Sequence, residues 1–222
     1  MQRRELLYLK KQDKEEKKIE GTIRNYEKKI EKMSEENTWQ YFLDVSTSNT
    51  GLTMIQGDRC IITSLPFSKI PRVSSQKDEK LVEKFRGIEK MLNALTKKYP
   101  PSHTIVMEGI FINRSFVNSS EILLKFHGFL IHYFLNHELR YIPPSNIKKA
   151  LTGKGNAKKE IVQEKILERW PIEFMNTDQS DAFAVYITWE MMEEKPMKIE
   201  RIEVKTYEEC VGEKIGKILG GM

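Results

Sequence analysis

Trp39-Gln-Tyr-Phe-Leu-Asp-Val-Ser-Thr-Ser-Asn-Thr-Gly-Leu-Thr-Met-Ile-Gln-Gly-Asp-Arg-Cys-Ile-Ile-Thr63 is the stretch whose reading decides the fold. Tyr41-Phe-Leu-Asp-Val45 has the apolar density of a buried strand, and residues 46–51 are a turn rich in Ser, Thr, Asn and Gly. Residues 52–55 and 60–63 then read as two further strands, so a three-strand meander is predicted. Further along, Leu81, Phe85, Ile88, Leu92 and Leu95 mark one face of a helix that ends before Pro100-Pro101. Thr104-Ile-Val-Met-Glu108 is a fourth strand. Residues 119–136 carry Ile122, Leu123, Phe126, Phe129, Leu130, Tyr133 and Phe134 at helical period, a wide apolar stripe. Residues 139–142 make a fifth strand. Pro143-Pro144 breaks the pattern, and a helix over 158–169 follows a basic segment, with Ile161, Val162, Ile166 and Leu167 expected inward. A last core helix covers about 180–192. The order β-β-β-α-β-α-β-α-α predicts an α/β fold, with a mixed five-stranded sheet that starts antiparallel and continues parallel.

Two flanks stand apart from this domain of residues 39–194. Residues 1–38 are dominated by Lys and Glu, and Ile19, Ile23, Tyr26, Ile30 and Met33 trace a helical seam. Gly21 weakens that seam, so the arm either packs on its own domain or reaches a partner. Residues 195–222 form a tail with Val204, Tyr207, Val211, Ile215 and Ile218 at loose helical spacing.

The 222 residues are 39% hydrophobic, enough for a sizeable core, and 37 basic against 32 acidic residues give a formal charge of +5. That excludes a fibrous or wholly disordered chain and favours a polyanionic partner, nucleic acid first. Cys60 and Cys210 lie far apart without metal-ligand spacing, which argues against zinc and a disulfide framework and for a reducing cytoplasm. No apolar run approaches a membrane span, and charge follows the first residues where a secretory signal would be apolar. The expectation is a soluble, unprocessed, cytoplasmic protein that does not engage membranes.

Four carboxylates carry the chemistry. Asp44 closes one apolar strand, Glu108 closes another, and Asp178 and Asp181 lie three apart at a helix entrance in Asn176-Thr-Asp-Gln-Ser-Asp-Ala182. No Lys or Arg occurs in residues 39–58, 99–113 or 170–194, so neighbours in sequence cannot neutralise these acids. Partly buried carboxylates need a proton or a cation, and an oxygen-only donor set selects magnesium or manganese over zinc. Two such ions can clamp the attacking and leaving oxygens of a phosphodiester. Taken singly, Asp178 and Asp181 also fit a helix cap and a first-turn acid, and Asp44 a turn cap. Two strand-closing acids with a helix-entry pair have few purely structural explanations.

Between them lies Pro144-Ser-Asn-Ile-Lys-Lys-Ala-Leu-Thr-Gly-Lys-Gly-Asn-Ala-Lys-Lys159. Gly153 and Gly155 allow backbone approach to a phosphate, the helix start near Ala157 offers its positive end, and Lys148, Lys149, Lys154, Lys158 and Lys159 add charge. A solvated lysine loop is the plainer alternative. The segment lacks the Walker A pattern, which excludes nucleoside triphosphate binding on this motif. Phe111, three residues after Glu108, can stack on a base or sit in the core, and Arg114 follows it. The histidines at 103, 127, 132 and 137 do not share a helix face, and no nucleophile signature is present, so water attacking under metal control is the expected chemistry.

Asp44-Val-Ser with Gly51, Glu108-Gly-Ile-Phe111, Ile147-Lys-Lys-Ala-Leu-Thr-Gly-Lys-Gly-Asn-Ala-Lys-Lys159 and Asp178-Gln-Ser-Asp-Ala-Phe-Ala184 together resemble the RuvC family of Holliday junction resolvases, in order and spacing. The resemblance covers roughly residues 40–190 and implies a ribonuclease H-like fold. It implies that Asp44, Glu108, Asp178 and Asp181 bind Mg2+ or Mn2+, two ions per site, and that Lys148 and Lys159 lie near the scissile phosphate. By the same likeness Phe111 inserts beside the junction crossover, and the protein is a homodimer, joined through the helix of residues 119–136, that cuts four-way DNA junctions in symmetric pairs. Phe126, Phe129, Leu130 and Tyr133 are the residues expected at that interface. Arm and tail are additions to the pattern and suggest a phage or divergent branch. The rival readings are a related nuclease acting on forks, flaps or RNA-DNA hybrids, and a non-catalytic junction-binding dimer.

Overall fold

The computed structural model describes residues 37–71, 77–110, 117–194, 197 and 199–220, together with Thr22 of the arm, which is helical. Residues Met1–Asn37 and Thr38–Met222 are separate compact units. The seam expected from Ile19 to Met33 lies outside the described residues, as do Phe111 and Arg114.

Strands β1 (Trp39–Asp44), β2 (Thr50–Gln56) and β3 (Arg59–Leu65) form the expected antiparallel meander, with Leu43 opposite Leu52 and Ile55 opposite Cys60. Helix α1 (Lys77–Lys98) leads to β4 (Pro101–Glu108), which lies parallel to β1. Helix α2 (Val117–Tyr133) leads to β5 (Glu138–Ile142), parallel to β4. Then come α3 (Pro144–Thr152), α4 (Lys159–Arg169) and α5 (Thr177–Met192). The carboxyl-terminal segment adds β6 (Arg201–Val204), α6 (Tyr207–Val211) and α7 (Ile215–Leu219).

Among the described residues the sheet has six strands in the order β5-β4-β1-β2-β3-β6, one more than expected. The sixth is short, and its alternation Arg-Ile-Glu-Val is that of an edge strand, with charged residues on one side. It pairs parallel with β3, Cys60 facing Ile202 and Ile62 facing Val204.

Strand periodicity divides the core in two. Tyr41, Leu43, Leu52, Met54 and Ile61 face α1, α2 and the tail helices, while Phe42, Cys60, Ile62 and Val106 face α3, α4 and α5. Helix α5 is apolar nearly all round, with Ala182, Phe183, Ala184, Val185, Tyr186 and Ile187 buried, because it is enclosed between the sheet and the α3-α4 layer.

Three local expectations change. Pro144 does not keep the chain irregular but occupies the first turn of α3, where its missing N–H costs nothing. Gly153 serves that helix as its left-handed cap, at φ 77, with its N–H donating to Lys149 O at 2.8 Å. In α4, Val162 and Ile166 point inward, whereas Ile161 and Leu167 are exposed.

The α2 stripe also faces differently. Phe126 and Leu130 are buried in the chain's own core, Phe129 stacks on Phe85, and Tyr133 donates its hydroxyl to Asn93 Oδ1 at 2.8 Å. These side chains seal α2 to α1 and the sheet. Ile122, Leu124 and Ile131 are outward apolar positions of α2, with Leu135 just past the helix.

Candidate active site

The same strand periodicity that splits the core assembles the site. Asp44 shares a face with Phe42, and Glu108 with Val106, because side chains two apart point the same way. Phe42 pairs with Val106 and Leu43 with Met107, so the register brings Asp44 alongside Glu108 at the ends of two neighbouring strands. Both acids look toward the amino-terminal end of α5.

That end is fixed by short-range chemistry. Asn176 is the N-cap, its side chain accepting from Gln179 N at 3.0 Å, and its amide donates to Ser64 Oγ at 3.0 Å. A Cβ on Gly51 would overlap the Asp178 carbonyl oxygen, so only glycine lets β2 and the first turn of α5 approach this closely. Asn49, in the turn before Gly51, donates its side-chain amide to Asp178 Oδ2.

Asp44, Glu108 and Asp181 line one cleft of about 290 Å³ with Lys148, Lys159, Pro144, Ile147, Val162 and Ala184. Asp178 is not among its lining residues. It is held by Asn49, close enough for its charge to act on Asp44, Asp181 and Lys159. Lys148 stands half-buried at the rim, and Lys149, Lys154 and Lys158 are exposed along α3 and the following loop.

The positive charge that neighbours in sequence do not supply comes in part from across the fold. Lys159, the first residue of α4, ion-pairs with Asp181. The pairing joins residues from different helices, which the local charge pattern does not reveal.

The acids themselves are strained electrostatically. Burial, the hydrogen bond with Glu108 and repulsion from Glu108 push the Asp44 carboxyl up to about 8, against some relief from Lys159. Burial also raises Glu108, while the hydrogen bond from Asp44 favours its charged form, so Asp44 holds the shared proton. Burial lifts Asp181 to about 6 despite its hydrogen bond from Lys159. Burial opposes the charge on Lys159, but the bond to Asp181 and the surrounding acids raise it above its usual value.

As the side chains stand, no group of three His, Cys, Asp or Glu residues is placed to hold a metal ion among the described residues. A proton on Asp44 and an ammonium on Asp181 occupy the positions that a cation's charge would take. The donor chemistry fits a hard divalent cation: oxygen only, repelling, partly buried and open to a cleft.

A pH dependence follows from these shifts. Asp44 and Asp181 bind protons more tightly folded than unfolded, so between about pH 4 and the folded values of about 8 and about 6 the native state carries more protons. Stability of the metal-free protein therefore falls as pH rises through that window, by up to about 1.4 kcal/mol per pH unit for each proton held. Thermal melts in chelator from pH 5 to pH 9 should show a declining Tm, and divalent cation should restore more stability at pH 9 than at pH 5. A flat profile would remove the buried acid pair from the account.

The sequence reading missed Asn49, Asn176 and Gln179 as supports of the site. Asn176 carries a legible cap signal, being followed three residues later by Gln179. Asn49 has none beyond its place in a polar turn.

Comparison with known proteins places the chain in a family. Residues 43–189 match the family of crossover junction endodeoxyribonuclease RuvC. The crossover junction endodeoxyribonuclease RuvC of Orientia tsutsugamushi strain Ikeda is 30% identical over 149 residues, 66% of this chain and 91% of the relative. The protein of that name from strain Boryong is 29% identical over the same length. Among solved structures, Thermus thermophilus RuvC has 16% identity and a TM-score of 0.48, covering 71% of this chain and 98% of that one.

Proposed function

We propose, from the premise that the chain belongs to the family of crossover junction endodeoxyribonuclease RuvC, that Asp44, Glu108, Asp178 and Asp181 form the magnesium- or manganese-binding centre of its cleavage reaction. The chain is a ribonuclease H-like, metal-dependent endonuclease that resolves Holliday junctions. The observation that supports the site assignment is the convergence of Asp44, Glu108 and Asp181 on one cleft with Lys148 and Lys159 at its edge.

Bound there, one or two divalent cations supply Lewis-acid charge that acidifies the attacking water and offsets negative charge at the phosphate. Asp44 and Glu108 would hold such an ion as carboxylates, the proton they share passing to solvent. Asp181 would be a further ligand, and Lys159, which pairs with it, would hold an ammonium beside the phosphate. Asn49 keeps Asp178 turned to the same side. Lys148, Lys149, Lys154 and Lys158 attract the DNA backbone; of two residues outside the described ones, Phe111 is assigned to the junction crossover and Arg114 to DNA binding.

The working unit we propose is a homodimer, with α2 turned to its partner by the stripe Leu124, Gly128, Ile131 and Leu135 in place of Phe126, Phe129, Leu130 and Tyr133. Steps of four and three residues align Leu124, Gly128 and Ile131 on one helix face, Leu135 follows in the turn after the helix, and open space over Gly128 admits close approach of a second helix.

A four-way junction, a duplex and an RNA-DNA hybrid of matched sequence, each incubated with protein and Mg2+, test the reading. Paired cuts in the junction alone are expected. Equal cutting of the hybrid would favour the related-nuclease reading, and junction binding without cleavage the architectural one.

Lys159→Ala gives a second test. If its ammonium acts on the reacting phosphate, turnover should fall about a hundredfold while junction affinity changes little, and added salt should not imitate the loss. Parallel losses in affinity and rate, reproduced by salt, would reduce Lys159 to a docking residue.

A further inference from the structure

The tail is fastened to the acid-bearing turn of α5 through one buried side chain. Gln179 lies between Asp178 and Asp181, and at 100° per residue it projects to the side of the helix away from them. It is 1% exposed, yet both ends of its amide are bonded: Met175 N donates to Oε1 at 2.7 Å, and Nε2 donates to Lys205 O at 3.2 Å. Lys205 closes β6, and its own N–H donates to Ile62 O at 2.9 Å. The tail then crosses the sheet edge to the opposite face. There Thr206 and Glu209 form a capping box, the Tyr207 hydroxyl donates to Met91 O at 2.8 Å, and Lys90 Nζ donates to Leu219 O at 2.8 Å. Ile202 and Val204 pack in one core, Tyr207, Cys210, Ile215 and Leu219 in the other. The segment that does this lies beyond residue 189, where the family match ends.

We infer that Gln179 is a positioning residue and that residues 201–219 are a brace which sets the depth and rotation of the Asp178–Asp181 turn. The inference rests on the reading of that turn as part of the metal centre. A buried amide has no solvent to fall back on, so its two partners define where the backbone of the first turn sits. One partner, Met175 N, belongs to the chain just before the N-cap of α5. The other belongs to the tail, which is anchored on α1 and so ties the turn to the far side of the sheet. Metal affinity in this chain thus depends on a segment beyond the residues that match the family.

The test uses the full chain and Gln179→Met, which keeps the volume and removes both bonds. Tyr207→Phe loosens the tail from α1 without touching α5, and Leu95→Ala, on the buried face of α1, is a control for lost stability alone. Mn2+ binding is measured without DNA by electron paramagnetic resonance, junction affinity in Ca2+, and the single-turnover cleavage rate across a Mg2+ titration. Gln179→Met should weaken Mn2+ binding about tenfold and move the Mg2+ midpoint of cleavage by a similar factor, with junction affinity within twofold of wild type. Tyr207→Phe should shift both in the same direction by less, and Leu95→Ala should lower Tm with neither midpoint moved. If Gln179→Met lowers Tm as Leu95→Ala does and leaves Mn2+ binding and the Mg2+ midpoint unchanged, Gln179 is a packing residue and the brace is overturned. If Asp181→Asn leaves Mn2+ binding intact, the metal assignment itself fails, a distinct result that takes the inference with it.

Discussion

Asp44→Asn should abolish junction cleavage, by at least about a thousandfold, and at the same time raise the melting temperature of the metal-free protein at pH 9. Loss of activity alone would be ordinary for any disrupted site. The opposite movement of stability is specific to the electrostatics found here, because Asp44 and Glu108 are partly buried side by side and Asp44 resists ionisation up to about 8. Above that value the wild type must hold two repelling carboxylates, whereas the amide keeps the hydrogen bond to Glu108 without the charge. Relief of about 1–3 kcal/mol, at ~2–4 °C per kcal/mol for a chain of this size, raises Tm by roughly 2–12 °C. At pH 5.5 the wild-type Asp44 is protonated and resembles the amide, so the difference should close. Mg2+ should stabilise the wild type and leave Asp44→Asn nearly unchanged, since a ligand bound only by the folded site adds linkage energy. Melts at two pH values, with chelator and with Mg2+, check all four corners. A variant that still cuts near the wild-type rate, or that is less stable than wild type at pH 9, would sink the assignment of Asp44.

How much of this was legible in the sequence depends on the range of the interaction. The strand ends at Asp44 and Glu108, and the face they share, follow from two-residue periodicity, which is local and strong. The entrance of α5 follows from a cap three residues before Gln179. Interactions that cross the fold left no such trace. Lys159 reaches Asp181 from another helix, Asn49 reaches Asp178 from the turn between β1 and β2, and Gln179 finds its second partner only because β6 lies beside β3. Helix α3 was hidden for a different reason: Pro143-Pro144 is a break signal, and the same proline is well tolerated once it becomes the first residue of a helix. On α2 the aromatic residues drew attention as a possible interface because they are large, but size is also what closes the gap between α1, α2 and the sheet. The thinner outer stripe, with a glycine in its middle, has too little area to announce itself by composition.

That distinction between the two faces of α2 sets the last expected result. A four-way junction has near two-fold symmetry, so a two-fold dimer can place one active site on each of two opposed strands, while a monomer nicks one strand per encounter. Leu124→Glu with Ile131→Glu puts like charges across the symmetric contact and should weaken dimerisation at least about a hundredfold, ~2.7 kcal/mol, with the fold intact. Phe126→Ala should do the reverse. It opens a cavity in the chain's own core and should cost about 3–5 kcal/mol of folding stability, with no specific effect on association. Deleting residues 1–36 leaves the unit that begins at Thr38 whole, and the truncated protein should still sediment as a dimer. Cleavage of a supercoiled cruciform plasmid reads out the consequence: linear product from the truncated protein means paired cuts, and nicked circles from the double glutamate variant mean uncoupled ones. A truncated protein that is monomeric and yields only nicked circles would move the working interface from α2 to the arm. A double glutamate variant that remains dimeric and linearises the plasmid would remove Leu124 and Ile131 from it.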